Sequence, residues 1–329
     1  MKYDLIPIME KIAKKKPVKV VVCEGWDERV LKAVDDVLKK KLAEIILLGN
    51  PEEIKKKAEE LKVDISKAEI HDFKNSELKD ELIEKLVEAR KHKGMTKEQA
   101  SELIQDENYF GCMYCYAGYS DAAAGSAIGS TAELMRPALQ ILREKGRLVS
   151  EVCVFTDVKN NRTLFGTDFS LNIDPSAEDL AQMTLNAADC VRGFGIEPKI
   201  ALLSYSTKGS GGDSPDILKI RQAADIVKKQ DPKLIIDGEL QVDAAVSRFG
   251  AKKKCPDSPL KGDANTLIFP NLTASNIFAH GIGQFSDMTM DLTILVGLAK
   301  PVGILGRSTP VESVRNIIIS CAMQVNVKR

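Results

Sequence analysis

The 329-residue sequence has no excess of charge of either sign and no long apolar run. Lys plus Arg and Asp plus Glu both total 47, so the formal net charge is zero. Because proteins dedicated to nucleic acids usually carry a basic excess, we expect no nucleic-acid partner. No apolar run approaches the roughly 20 residues that a membrane-spanning helix requires, so we also expect no association with a membrane.

Signals for export, for disulfides and for a metal site are also missing. The short apolar patch near the start is broken by Glu10 and followed by lysines, unlike a secretory signal peptide. The seven cysteines are an odd number scattered among apolar runs, which is typical of reduced thiols in a cytoplasmic protein. Cys112 and Cys115 form a CxxC pair, but no second pair and no nearby histidine completes a zinc ligand set. We therefore predict that both are buried and that the chain binds no metal.

Apolar runs of strand length alternate with amphipathic runs of helical length. Residues 18–23 form a β-branched run that predicts a buried strand, and a helix is expected directly after the turn that follows it. Residues 152–155 and 163–165 flank Asn160-Asn161 and predict a β-hairpin. Alternation of strands and helices indicates a parallel sheet covered by helices, and the chain length favours two domains.

A loop rich in hydroxyl groups and glycine follows the apolar run at residues 200–203. It spans 204–211 and carries Lys208, and the next helix is expected to have Ser214 as N-cap and Pro215 as its first residue. Glycine lets backbone N–H groups approach a ligand and a helix N-terminus is positive, so this segment suits an anion. Its glycine spacing fits neither a P-loop nor a dinucleotide-binding fingerprint. An ordinary polar turn is an equally good interpretation.

Two arginines lie at helix ends that could also meet an anion. Arg90 comes near the end of the helix predicted over 76–93, where a cation also complements the helix dipole. Arg136 follows a helix start marked by Ser130 and Thr131, although hydroxyls at a helix start are usually only caps. For both arginines, the structural and the ligand-binding interpretations stay open.

The last strand–helix unit offers a third arginine. Arg307 follows the strand predicted at 302–305, at the end where α/β proteins bind ligands. Thr309, Pro310 and Glu312 predict a capping box for the following helix. Arg307 is thus placed where a phosphate-binding arginine belongs.

Two carboxylates, Asp237 and Glu239, follow the apolar run at 234–236. They could form a metal-binding pair at the end of a strand, but we favour a role in the turn and in capping.

Several stretches, in order and over nearly the whole chain, carry a family resemblance. The most specific are Leu-Ser-Tyr-Ser-Thr-Lys-Gly-Ser at 203–210 and Ile-Asp-Gly-Glu-Leu-Gln at 236–241. The others are residues 24–30, 90–95, 108–111, 130–132, 136–140, 172–175 and 299–302. Together they resemble the phosphate acetyltransferase, or phosphotransacetylase, family, of which phosphate butyryltransferase is a close relative.

The resemblance implies an α/β fold with two αβα-sandwich domains, largely parallel sheets and an interdomain cleft. The first domain would take residues 1–148 plus 292–329, and the second, 149–291, would be inserted. It also implies a cytoplasmic homodimer in acetate metabolism. The reaction would be acetyl-CoA plus phosphate giving acetyl phosphate plus CoA, reversibly, with these small molecules as substrates and without a tightly bound cofactor.

The resemblance also implies which residues bind phosphate, acyl phosphate or CoA, all of which are anionic. These residues are Arg90, Ser130, Thr131, Arg136, Ser206, Thr207, Lys208, Gly209 and Gln284. In the family an aspartate deprotonates the CoA thiol, which attacks the acyl carbon, and a serine with an arginine stabilises the oxyanion.

This sequence departs from the family pattern at its catalytic positions. Where the family carries Asp-Leu-Ser-Arg-Gly, residues 304–308 read Ile-Leu-Gly-Arg-Ser, so Gly306 replaces the catalytic serine. The base aspartate falls on Ser313, an arginine that helps to hold CoA falls on Gln284, and Gly129 stands where many members carry histidine.

The departures leave Arg307 as the retained catalytic residue, with Ser308 as a substitute hydroxyl and Glu312 as a substitute base. The base matters because a thiol of ordinary pKa is only a few per cent thiolate at neutral pH, and general base catalysis contributes roughly 10²–10⁴-fold. Two alternatives to an acetyltransferase stay open. One is a phosphate butyryltransferase-like enzyme, and the other is a degenerate paralogue that binds acyl phosphate or CoA without turnover.

Overall fold

The structure is a computed structural model that describes residues 2–327, and it divides into two compact units. The terminal unit comprises Leu5–Lys145 and the described residues from Leu298 onward, and the inserted unit comprises Gly146–Gly297 with the described residues before Leu5. The sequence predicts that the chain passes between the two domains at 148 and 292. In the structure the second of these boundaries lies later in the chain, because the strand Thr289–Val296 pairs within the inserted unit's sheet.

Eleven strands lie within residues 2–327. In chain order they are β1 (Lys19–Val22), β2 (Glu44–Leu48), β3 (Glu69–His71), β4 (Ala122–Gly125), β5 (Ser150–Asp157), β6 (Arg162–Thr167), β7 (Lys199–Leu203), β8 (Ile235–Leu240), β9 (Thr266–Ile268), β10 (Thr289–Val296) and β11 (Val302–Ile304).

Thirteen α-helices lie in the same part of the chain. In order they are α1 (Leu5–Ala13), α2 (Glu28–Lys39), α3 (Pro51–Leu61), α4 (Lys79–Arg90), α5 (Lys97–Leu103), α6 (Glu107–Tyr116), α7 (Thr131–Ile141), α8 (Ala177–Gly193), α9 (Pro215–Gln230), α10 (Val242–Val246), α11 (Arg248–Lys254), α12 (Leu272–Phe285) and α13 (Val311–Asn326).

Each unit has one sheet. The terminal unit's sheet has five parallel strands in the order β11-β4-β1-β2-β3. The inserted unit's sheet has six strands in the order β10-β5-β6-β9-β7-β8, of which the β10–β5 and β5–β6 pairs are antiparallel and the others parallel. The predicted α/β class with largely parallel sheets is confirmed, as is the hairpin of β5 and β6.

Burial on both faces of the terminal sheet explains the apolar runs of its strands. Val20, Val21 and Val22 of β1 are consecutive, so they point to alternate faces, and all three are inaccessible to solvent. Helices α2 and α13 pack together over this sheet, and α6 packs against β1 and β4. Cys112 and Cys115 lie in α6 and are fully buried, as predicted.

The helix starts follow the predicted caps at one site and depart from them at another. Helix α9 begins at Pro215, and Ser214 Oγ accepts from the backbone of its first turn, as predicted. The predicted capping box before α13 is wrong, because Pro310 occupies the N-cap position and makes no side-chain cap bond. Thr309 instead closes a turn in which its amide donates to Gly306 O at 3.4 Å.

Candidate active site

The loop between β7 and α9 surrounds the carboxylate of Glu239, a residue of β8. Ser206 Oγ and the Gly209 amide donate to Glu239 Oε1 at 3.0 and 2.7 Å. Arg221, from α9, donates through Nε to Oε2 at 2.9 Å and through Nη2 to Oε1 at 3.2 Å. The loop therefore does hold an anion, and that anion is a side chain of the same unit.

Glu239 stays ionised at neutral pH although it is almost fully buried. Burial alone would raise its pKa, but the hydrogen bonds from Arg221, the Gly209 amide and Ser206 outweigh burial and lower the pKa to about 2. The Ser206 hydroxyl and the Gly209 amide already donate to Glu239. Binding of a substrate by these two residues stays a prediction, and it requires either their other polar groups or displacement of Glu239.

A second set of hydrogen bonds, from β8 and from Gln241 directly after it, holds the same loop. Lys208 Nζ donates to Asp237 Oδ1, and Lys208 itself has a left-handed backbone with φ of 49°. Thr207 Oγ1 accepts from the Gln241 amide at 3.0 Å and donates to Gln241 Oε1 at 3.3 Å. Asp237 and Glu239 therefore hold the loop through side-chain contacts, which corrects the expected role in a turn and in capping.

Gln284 is not brought into this cluster by any hydrogen bond within residues 2–327. It lies one residue before the end of α12 and is exposed. Its binding of CoA stays a prediction.

In the terminal unit, β11 leads into a turn that presents Arg307 and Ser308, both exposed. Gly306 has φ of 68°, and a Cβ at this position would lie 2.8 Å from Thr309 Oγ1, so this turn favours glycine. Arg307 Nε donates to Gly129 O at 3.2 Å. No carboxylate of residues 2–327 pairs with Arg307, so its Nη groups are available to a ligand.

Arg307 contacts the loop between β4 and α7. Ser126 Oγ donates to Ser130 O at 2.9 Å, and Ser130 Oγ donates to Glu133 Oε1 at 3.0 Å. Thr131 is the first residue of α7 and is exposed. The Glu133 carboxylate lies where a side chain at position 129 would extend. Ser130 is therefore bonded to a side chain rather than capping α7.

Arg90 and Arg136 lie near Tyr109. Arg90 Nη1 donates to Gln140 O at 3.4 Å, and the Tyr109 hydroxyl donates to Gln140 Oε1 at 3.2 Å. Burial raises the pKa of Tyr109, and the positive charges of Arg136 and Arg90 oppose that increase. In the described chain no carboxylate pairs with either arginine, and Arg90 Nε is buried without a partner. Both guanidinium groups can therefore accept an anionic ligand.

The proposed base lies at the start of α13. Glu312 is exposed in the first turn, Ser313 beside it is half-buried, and no described residue forms a hydrogen bond with the Glu312 carboxylate. The structure leaves Glu312 accessible and does not place it in contact with Arg307.

The described residues offer no metal site and no reactive thiol. No group of three or more metal-ligating side chains occurs among residues 2–327. Burial raises the pKa of Cys112 well above its usual range and that of Cys115 to about 11, so neither thiol is ionised at neutral pH. No helix of the described chain is long and apolar enough to cross a membrane.

Three residues of these clusters were not singled out as site residues from the sequence. Arg221 gave only a weak signal, since it lies two turns into the helix that follows the glycine-rich loop. Glu133 gave no distinctive signal in the sequence, because a carboxylate in the first turn of a helix is common. Arg29 appeared only inside a stretch of family resemblance, and apart from Asp27 its hydrogen-bond partners lie 98 or more residues away in the sequence.

The largely parallel α/β fold and nearly the whole sequence of the chain match one class of proteins. A model of the family described as phosphate acetyl/butaryl transferase matches residues 5–322. The chain belongs to this family, which confirms the resemblance.

Within this family, individual similar proteins are named phosphate acetyltransferase or phosphotransacetylase. Phosphate acetyltransferase from Bacillus subtilis (strain 168) is 40% identical over 320 residues, which cover 96% of this chain and 97% of that protein. Phosphate acetyltransferase from Thermoanaerobacterium thermosaccharolyticum is 40% identical over 325 residues, covering 96% and 98%. The crystal structure of a phosphotransacetylase from Streptococcus pyogenes has a TM-score of 0.93 at 36% identity and covers 98% of both chains.

Proposed function

We propose that this protein is a phosphate acetyltransferase, which transfers an acetyl group reversibly between acetyl-CoA and phosphate. The observation that carries the proposal is that Arg90, Arg136 and Arg307 of the terminal unit have no carboxylate partner in the described chain. Phosphate, acetyl phosphate and CoA are all anions, and guanidinium groups bind phosphate oxygens in a bidentate geometry.

The residues can be assigned to the steps of the reaction. The sulfur of CoA forms a bond to the carbonyl carbon of acetyl phosphate, the carbon–oxygen bond to phosphate breaks, and the thiol proton passes to a base. Arg307 binds the phosphoryl group and stabilises the negative charge on the carbonyl oxygen, with the Ser308 hydroxyl beside it. Glu312 takes the proton. Ser130 and Thr131 with Arg90 and Arg136 hold the substrates' phosphate groups.

In the inserted unit, the polar loop and the end of α12 contact CoA. Thr207 and Lys208 lie between the two loop donors that hold Glu239, and Gln284 supplies an amide in place of a charge. Ser206 and Gly209 keep the loop in shape through Glu239 and contribute their remaining polar groups.

Acetyl is the favoured acyl group because the relatives named above, at 36–40% identity, are all described as acetyl-transferring or as phosphotransacetylases. Gly306 leaves more room than serine, which is the specific observation in favour of a butyryl-type enzyme. The hypothesis of a degenerate paralogue is supported by Gly306, Ser313 and Gln284, which together replace the family's catalytic serine, base aspartate and CoA-binding arginine.

We also propose that two copies associate through the inserted unit. Strand β10 lies at the edge of its sheet, and its Met290 is exposed. The adjacent helix α12 exposes Ile277 by 67% and Phe285 by 91%. Apolar side chains beside an unpaired strand edge are typical of an interface, and light scattering after gel filtration would report the mass of a dimer.

The substrates are small molecules, and the reaction as proposed needs no tightly bound cofactor. We propose a cytoplasmic enzyme of acetate metabolism, which has neither nucleic acid nor membrane as a partner.

The test is phosphate-dependent release of CoA from acetyl-, propionyl- and butyryl-CoA. We expect acetyl-CoA to give the highest kcat/KM. Arg307→Ala should lower kcat by about 10²–10³-fold, the usual effect of removing one oxyanion donor. Arg248→Ala, at an exposed arginine paired with Asp263 in the inserted unit, is the matched control and should retain activity. Binding of acetyl phosphate without turnover of any ester would favour the degenerate paralogue.

A further inference from the structure

The turn between β1 and α2 and the start of α2 contact both loops that carry the terminal unit's proposed site residues. One loop follows β4 and leads to Ser130 and Thr131, and the other follows β11 and carries Arg307. The pairing of these strands ends where the Leu305 amide donates to Gly125 O at 2.9 Å. Beyond that point the two loops need other contacts to keep a fixed spacing.

Arg29 supplies contacts to the loop after β11. Its Nη1 donates to the backbone oxygens of Gly306 at 3.0 Å, Arg307 at 2.7 Å and Thr309 at 3.2 Å. These three carbonyl groups belong to the turn that presents the Arg307 side chain, and each accepts a hydrogen bond from Arg29. The guanidinium group therefore fixes the backbone on both sides of Arg307.

Arg29 and Glu24 together hold the loop after β4. Arg29 Nη2 donates to Ala127 O at 2.6 Å, and the Ala127 amide donates to Glu24 Oε2 at 3.1 Å. Ala127 is fully buried, and both of its backbone polar groups are thus satisfied by the side chains of Arg29 and Glu24. A single guanidinium group bridges Ala127 and the turn at 306–309.

Asp27 fixes the orientation of that guanidinium group. Arg29 Nε and Nη2 donate to the two Asp27 carboxylate oxygens at 3.1 and 3.0 Å. The two side chains are only 23% and 12% exposed. All three nitrogens of Arg29 are used, in a planar fork that the single ammonium group of lysine cannot reproduce.

We propose that Arg29 is a positioning residue of the acyl-transfer reaction. It holds the turn at 306–309 at a fixed distance from Ala127, so that Arg307 meets the substrate in the reactive orientation. This role rests on the proposed function, because it acts through Arg307. Displacing a catalytic group by about 1 Å can cost on the order of 10²-fold in rate.

The test compares Arg29→Lys with Arg162→Lys. Arg162 makes the same kind of contact in the inserted unit, where it donates to Asp157 at 2.7 Å and to Val246 O at 2.7 Å. We expect Arg29→Lys to lower kcat by about 10–10²-fold, with KM for the CoA ester within about threefold of the wild type. Arg162→Lys should change neither parameter. Wild-type kcat in Arg29→Lys would overturn the proposal.

A double-mutant cycle separates positioning from general stability. In an Arg307→Lys background, Arg29→Lys should lower kcat by no more than about twofold, because the group that it positions is already altered. An equal fall in both backgrounds would show that Arg29 acts independently of Arg307 and would overturn the proposal. If Arg29→Lys does not fold, Asp27→Asn, which retains Arg29, replaces it.

Amide hydrogen exchange provides a measurement of this role that does not depend on enzymatic activity. In Arg29→Lys, the amides at 305–309 should exchange about tenfold faster than in the wild type, while those in the middle of α13 are unchanged. Unchanged exchange would overturn the positioning role. If the wild type turns over no CoA ester but the loop amides still respond, the proposed function fails and the holding of this loop stands.

Discussion

Arg221 and Glu239 form a bidentate ion pair, with Nε 2.9 Å from Oε2 and Nη2 3.2 Å from Oε1. Within this pair, the Glu239 carboxylate lies inside a loop whose amides and hydroxyls are also suited to a phosphate. The loop is therefore organised before any substrate arrives. Its shape depends on a residue of the next strand, and removing the charge tests that dependence.

Glu239→Gln should lower the free energy of unfolding. The amide cannot accept from both Arg221 nitrogens, and breaking a buried charge pair costs about 3–5 kcal/mol. Arg221 is 32% exposed, so we expect a smaller loss of about 2–3 kcal/mol in urea unfolding at pH 7. Asp213→Asn alters an exposed partner of the same arginine and should cost less than about 1 kcal/mol. Equal losses in the two variants would contradict the account.

The pH dependence of that loss has a definite sign. The pKa of Glu239 is lowered from 4.5 to about 2 in the folded protein. The stabilisation is therefore complete above about pH 4.5 and disappears as the pH falls toward 2, so the difference between wild type and variant should shrink over that range.

Glu107 should give the free energy of unfolding the opposite dependence on pH. Burial raises its pKa from 4.5 to about 8, and burial raises that of the neighbouring Glu24 to about 7. Between pH 4.5 and 8 the folded protein holds more protons than the unfolded chain, so the free energy of unfolding falls as the pH rises. Glu107→Gln should reduce this slope by up to about 1.4 kcal/mol per pH unit, measured by urea unfolding from pH 5 to 8. A slope equal to that of wild type, or of the exposed control Glu102→Gln, would exclude this role of Glu107.

Glu312→Gln tests the proposed base. Loss of general base catalysis should lower kcat by about 10²–10⁴-fold, while KM for phosphate is unchanged. Glu178, in the first turn of α8, is a matched control at another helix start. If Glu312→Gln retains the kcat of the wild type, the proton is taken by another group.

Local patterns predicted the elements, whereas the contacts that shape the site join distant residues. The strand at β7, the glycine-rich loop and the start of α9 could be read from adjacent residues. The partner of Lys208 is Asp237, whose place is set by the parallel pairing of Ala201 with Asp237 between β7 and β8. No local pattern contains that register.

The predicted capping box of α13 failed for the same reason. Thr309 has the right spacing for a cap, but Arg29, 280 residues earlier, holds its carbonyl group. The backbone of the turn is thus determined by a tertiary contact, and the helix begins after Pro310 instead. The local capping propensity of Thr309 is therefore overridden by its contact with Arg29, which cannot be read from the local sequence.

The central claim is that acetyl groups are transferred to phosphate rather than to water or not at all. The most direct measurement follows CoA thiol and acetyl phosphate together in one reaction of acetyl-CoA with purified protein. We predict that both products appear in equal amounts and that the rate saturates with phosphate. Arg307→Ala should lower the rate of formation of both products by about 10²–10³-fold, and Arg248→Ala should lower neither. CoA release without acetyl phosphate, or no release at any phosphate concentration, would contradict the account.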